Sequence, residues 1–175
     1  MPETWHDFYV MTGLSAAVLI GLLFVVVTLT ANYNRAVTLP AARIYVTPTL
    51  FHFASIAVVS AVSLIPAGRA GLIGIVLIGC GVGGLAYAAM VTLALSGRHR
   101  PDIMHWTDPV FYALLPALVY LGLLASGIAF LEKVLNAPYY AAAALIVLLL
   151  LGVRDTWDVT LWSAHHPEQP PPAQG

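Results

Sequence analysis

Charge is absent from five long segments of this chain, residues 8–34, 44–68, 70–97, 109–131 and 134–153. Each is at least 20 residues long and mostly Leu, Ala, Val, Ile and Gly, and charged residues fall in the intervals between them. An α-helix needs about 20 such residues to cover the roughly 30 Å hydrocarbon core of a bilayer, so every segment is long enough to cross. The pattern predicts an all-α polytopic membrane protein, a five-helix transmembrane bundle with spans at about 8–30, 48–66, 71–95, 109–131 and 138–157. Together these make one transmembrane domain over 1–164, with the lipid bilayer as its partner. Residues 165–175, HHPEQPPPAQG, are polar and proline-rich, and predict a disordered tail that buries no core.

Helix starts are marked locally. Thr47-Pro48 and Asp108-Pro109 each place a capping side chain before a proline suited to the first helical position. Asn136 before Ala137-Pro138 does the same for span five, and Gly68 after Pro66-Ala67 marks a stop for span two. The first loop, 31–47, has room for a short interfacial helix around Pro40–Tyr45. Pro116 predicts a bend in span four.

With five spans the chain ends lie on opposite sides. One side receives Arg35, Arg43, Arg98, Arg100 and Arg154, and the other only Arg69 and Lys133. The positive-inside rule puts the richer side in the cytoplasm, hence N-terminus out and C-terminus in. Trp5, Trp106, Trp157 and Trp162 fall at predicted span ends, as does the Tyr139-Tyr140 pair, where an aromatic ring is buried and its polar tip stays wet.

Composition changes little in this picture but excludes several classes. Hydrophobic residues make up 60% and charged residues 9%, against about 25% charged for a soluble domain. A net charge of −1 provides no basic stripe for nucleic acid. The single cysteine, Cys80, excludes an internal disulfide. No Lys or Arg precedes Arg35, so the basic start of a signal peptide is missing and span one is expected to be retained.

Span three is rich in glycine. Gly79 and Gly83 form a G-x-x-x-G pair, and Cys80, Gly84 and Ala88 a parallel stripe of small residues. Such spacing lets helices approach closely, either within one chain or between copies, so Gly79, Gly83 and Gly84 are candidates for a homo-oligomer face. Gly79, Gly81 and Gly84 also fit G-x-G-x-x-G. A dinucleotide site needs that pattern after a strand and facing water; here it lies mid-span, and no cofactor is expected.

Titratable residues concentrate on the predicted cytoplasmic face. Arg154, Asp155 and Asp158 form the densest group: Arg154 and Asp158 are four apart and share a helix face. The group reads either as a salt-bridged helix end fixing insertion depth, or as the end of an ion or proton path or headgroup site. His52, one turn inside span two, is either a packed, hydrogen-bonded histidine or a relay member. His99, Asp102, His105 and Asp108 recur every third residue, but Pro101 and Pro109 interrupt any single helix there. A polar loop is the simpler reading, and no metal centre is assigned. The candidate binding set is therefore Arg154, Asp155, Asp158, His52, His105 and Asp108. Thr12, Ser15, Thr28 and Asn32 give span one a sparse polar face that helix packing explains as well as a pore lining does.

The segments WHDFYV at 5–10, GLLFVVVTL at 21–29, TPTLFHF at 47–53, HWTDPVFYALLPALVYL at 105–121 and GVRDTWDVTLW at 152–162 together resemble a group of small bacterial integral membrane proteins that carries no assigned function. The resemblance implies a multi-pass protein of the bacterial inner membrane and transfers no site residue. Two kinds of function fit the sequence. One is a channel- or transporter-like protein, homo-oligomeric because five helices leave little room for a polar path. The other is a non-transporting accessory or lipid-binding protein, or a membrane enzyme using the inner-face His, Asp and Arg residues. No Ser/His/Asp order, Cys/His pair or phosphate loop marks a catalytic centre.

Overall fold

The structure, a computed structural model, describes residues 5–33, 39–65, 70–96 and 113–165. Five α-helices follow one another: α1 (His6–Tyr33), α2 (Leu39–Ser63), α3 (Ala70–Ser96), α4 (Leu115–Leu131) and α5 (Ala137–His165). The fold is all-α. Among the described residues three helices are long and apolar enough to cross a membrane, over His6–Thr28, Gly71–Leu93 and Ala137–Asp158. The other two contribute shorter apolar stretches, Thr47–Ser63 and Leu115–Leu131. At 17 residues, α4 rises roughly 25 Å.

The surface is inverted relative to a protein built for water. Met11, Leu14, Val18, Leu22, Ile75, Val82, Met90, Leu93, Leu118 and Leu150 face outward, while Thr12, Thr49, His52, Ser55, Ser60, Ser126 and Asp155 are buried. Burying a polar group costs free energy unless it is hydrogen-bonded. Most hydroxyls meet that need on the preceding turn: Ser15 donates to the Met11 carbonyl, Thr28 to Phe24, Ser55 to Phe51 and Ser126 to Gly122, at 2.7–2.8 Å. On α1 Thr12 also reaches another helix, meeting Ser60 at 3.1 Å.

The most extensive interface joins α3 to α4, and glycine permits it. A Cβ at Gly74 would stand 2.8 Å from the Gly127 carbonyl oxygen, and one at Gly81 2.9 Å from Leu124. Gly84 receives the Tyr120 ring, and Gly83 faces Phe51 of α2. Gly79 faces open space. Two of the three glycines expected at a close-packing face therefore meet this chain's own helices.

Two helix ends differ clearly from expectation: α5 runs on to His165, past the expected end near 157, and α2 starts early. Thr47-Pro48 does not start a helix, because α2 already runs from Leu39 and Pro48 lies inside it. Proline removes one N–H donor and crowds the carbonyl four residues back, but a helix held by neighbouring helices absorbs this. The proposed separate helix around Pro40–Tyr45 is the first part of α2. Asn136 does precede α5, its carbonyl accepting from the N–H groups of Tyr139 and Tyr140. Pro116 sits in the first turn of α4, directly after a wider, π-type turn at 113–114. Between α4 and α5 the chain reverses through a Schellman motif: Lys133 N–H bonds the Phe130 carbonyl and Val134 N–H that of Ala129. Lys133 takes a left-handed φ of 57°.

The Asp108 cap, Gly68 and the tail beyond His165 lie outside the described residues.

Candidate functional site

The buried stripe of α5 runs through Ala141, Leu145, Leu148 and Leu151, at intervals of three and four residues. Continued one turn, the same stripe reaches Asp155. Helical periodicity alone therefore carries a carboxylate into the interior, where its side chain is 1% exposed. Gly152, one turn earlier, has no side chain, and the Phe53 ring of α2 fills the space, only 2.5 Å from where a Cβ would stand. This close crossing brings α2 and α5 together at the level of Asp155.

On α2 the neighbour of Phe53 is His52, 3% exposed. Its Nδ1 lies 2.7 Å from the Tyr120 hydroxyl of α4. Its Nε2 points toward Asp155, 3.9 Å from Oδ2, too far for a hydrogen bond. When Tyr120 donates to Nδ1, the imidazole proton sits on Nε2 and faces the carboxylate. Phe51 packs against Tyr120 with centroids 5.8 Å apart and stacks on Tyr87, closing this side with aromatic rings.

Arg154 and Asp158 form the margin. Their side chains are 34% and 37% exposed and meet at 3.2 Å across one helical turn. Arg154 also approaches Oδ1 of Asp155 at 3.6 Å. The sequence placed Arg154 and Asp158 on one face, and they lie there. It did not separate Asp155, which turns inward while its neighbours stay at the surface.

Asp155 is therefore a buried carboxylate flanked by a cation and an imidazole, with hydrogen-bonding distance reached to neither. Oδ1 of Asp155 and Nε2 of His52 are both buried and have no hydrogen bond. At ordinary hydrogen-bond lengths of about 2.8 Å, one water would bridge atoms 3.9 Å apart at an angle of about 90°. The arrangement can hold a small polar species, or move a proton between carboxylate and imidazole.

His52, Arg154, Asp155 and Asp158 come together as a group. His105 and Asp108, with His99 and Asp102, lie outside the described residues. Sequence reading missed Tyr120, Phe53 and Gly152. For Tyr120 no linear signal exists, because it meets His52 only through the α2–α4 packing. For Asp155 no linear signal separates it from Arg154 and Asp158, because residues 141–151 are all apolar and mark no stripe. For His52 a signal was present in the recurrence of Thr49, His52 and Ser55 at intervals of three on α2.

At the opposite end of α5, Trp5 packs edge-on against Tyr139 with centroids 4.9 Å apart, and Phe8 and Tyr9 extend the cluster. The Trp5–Tyr139 cluster and the buried His52–Asp155 pair thus lie at opposite ends of α5. Compared with known proteins, the chain matches no family model, no curated protein and no solved structure.

Proposed function

We propose that this chain is a five-span integral membrane protein of the channel or transporter type, and that Tyr120, His52 and Asp155, with Arg154 and Asp158 at the margin, bind the transported ion. Asp155 carries the reading. A carboxylate inside an apolar helix bundle is expensive and tends to face a partner or an ion path. A packing role alone would be filled by the Ala and Leu that occupy the rest of the α5 stripe. Here the carboxylate is kept, buried, and incompletely hydrogen-bonded, which is the usual condition of an ion-handling group.

The apolar outer surface supports a bilayer setting. The five-to-two distribution of Lys and Arg supports N-terminus out and C-terminus in, which puts the ionisable end at the cytoplasmic side of a bacterial inner membrane. A second copy would pack on the face around Gly79, which this chain leaves open.

The test is flux into proteoliposomes, measured separately for H⁺, Na⁺, K⁺ and Cl⁻. Flux of one ion above protein-free vesicles, abolished in a folded Asp155→Asn variant, is expected. Background rates for every ion with well-folded protein would refute transport and favour the accessory or lipid-binding role. Periplasmic reporters should be active after Arg69 or Lys133 and silent after Arg43, Arg100 or His166. An active reporter at the C-terminus would refute the orientation.

A further inference from the structure

We infer that the ion handled at this site is the proton, and that its route follows the buried face of α2 from Asp155 and His52 to Thr12 and Tyr9, closed midway by Ile56 and Val59. This rests on the transport reading above and narrows it.

Space argues first. His52 touches Tyr120 directly at 2.7 Å, and the interval to Asp155 is 3.9 Å. Contacts this close supply far fewer than the six or more oxygens a Na⁺-like or divalent cation would have to find. Among the described residues no three His, Cys, Asp or Glu side chains converge. One carboxylate facing one imidazole in an apolar interior suits a proton.

The rest of α2 supplies the route. Thr49, His52, Ser55 and Ser60 are all buried on one side of the helix. Ser55 is buried close to the Tyr120 hydroxyl and the Cys80 thiol, its own proton directed to the Phe51 carbonyl. Toward the aromatic end, Ser60 meets Thr12. One turn further, Tyr9 has its hydroxyl buried beside Ser63 without a formed hydrogen bond. The groups facing this line are Asp155 and Arg154 from α5, Tyr120 from α4, Cys80 from α3 and Tyr9 from α1.

Each transfer breaks one X–H bond and forms another, with no oxidation. The relay starts from the tautomer in which Nδ1–H donates to the Tyr120 oxygen and Nε2 is unprotonated. The O–H bond of protonated Asp155 breaks as Nε2 of His52 takes the proton, directly or through one water. Nδ1 then releases its proton to the Tyr120 oxygen as the Tyr120 O–H proton passes to Ser55. As the Ser55 oxygen accepts, its own O–H bond, which at rest donates to the Phe51 carbonyl, breaks and hands that proton to water admitted to the gate. Four residues, and about 7.5 Å of helix rise, then separate Ser55 from Ser60. Ile56 and Val59 fill that interval and are fully buried. This apolar stretch is the closed gate, and water must enter it for a proton to pass.

The experiment uses proteoliposomes loaded with a pH-sensitive dye and driven by a K⁺ diffusion potential. Wild-type protein should acidify the lumen. Asp155→Asn should slow this by about a hundredfold, the lower end for a positioned proton-transfer group. Ser60→Ala with Thr12→Val should slow it several-fold, and Val59→Thr, nearly isosteric, should raise it several-fold by bridging the gate. The Val59→Thr gain cannot arise from misfolding. Flux of Na⁺, K⁺ or Cl⁻ without proton flux would overturn the proton assignment and leave transport standing. Proton flux sensitive to Asp155 but unchanged in the α2 variants would overturn the route. No flux of any ion would remove the transport reading itself.

Discussion

Replacing Tyr120 with Phe deletes one oxygen and leaves the ring that packs against Gly84 and Phe51. The lost bond is short, 2.7 Å, and both partners are buried. An orphaned buried polar group costs about 1–3 kcal/mol, whereas hydrogen bonds between membrane helices average about 0.6 and reach about 1.7 kcal/mol. His52 already has Nε2 without a hydrogen bond, so losing the Nδ1 partner strips its last one. The expected loss therefore sits near the top of the measured range, about 1.5 kcal/mol. For a chain of this length that lowers Tm by about 3–6 °C. Thermal unfolding in detergent reads it, and a double-mutant cycle with His52→Leu isolates the pair. Asp155 loses its imidazole in both arms containing His52→Leu, so that effect cancels. A coupling of about 1 kcal/mol is expected. Strict additivity, within about 0.5 kcal/mol, would refute the claim that this bond ties α2 to α4.

Gly84→Ala should destabilise the bundle by about 1–3 kcal/mol because the new methyl meets the Tyr120 ring, while Gly79→Ala, facing open space, should be neutral or gain up to about 1 kcal/mol of helix propensity; equal effects on Tm would contradict the α3–α4 packing. Lys133→Gly should raise stability by about 1 kcal/mol, since glycine takes the left-handed φ without strain; a fall in Tm would mean the lysine side chain matters more than its backbone. Arg154→Ala leaves Asp155 and Asp158 without their shared cation, so it should lower Tm more than Asp158→Ala. Combining the two should recover part of the loss, and no recovery would show that Asp158 does not oppose Asp155 once the arginine is gone.

Five helices and their order were legible in the spacing of charges, because a charge inside an apolar helix is costly enough to act as punctuation. Pro48 shows where punctuation misleads. A proline after threonine reads as a helix start in water, yet here α2 runs through it, because neighbouring helices hold the backbone that the ring perturbs. Rotation of each helix about its axis was much less legible. In water, apolar periodicity tells the buried face from the solvated one; in a bundle whose outside is as apolar as its core, that distinction vanishes. So the sequence by itself determined that Arg154, Asp155 and Asp158 cluster where the apolar run of α5 stops and that His52 lies inside an apolar segment. Only the tertiary structure decided that Asp155 alone turns inward, that it meets His52, and that Tyr120 completes the group. The physical reason is the close approach that glycine permits, of the Phe53 ring at Gly152, the Tyr120 ring at Gly84 and the Leu124 backbone at Gly81, which sets helix rotation through contacts distant in sequence.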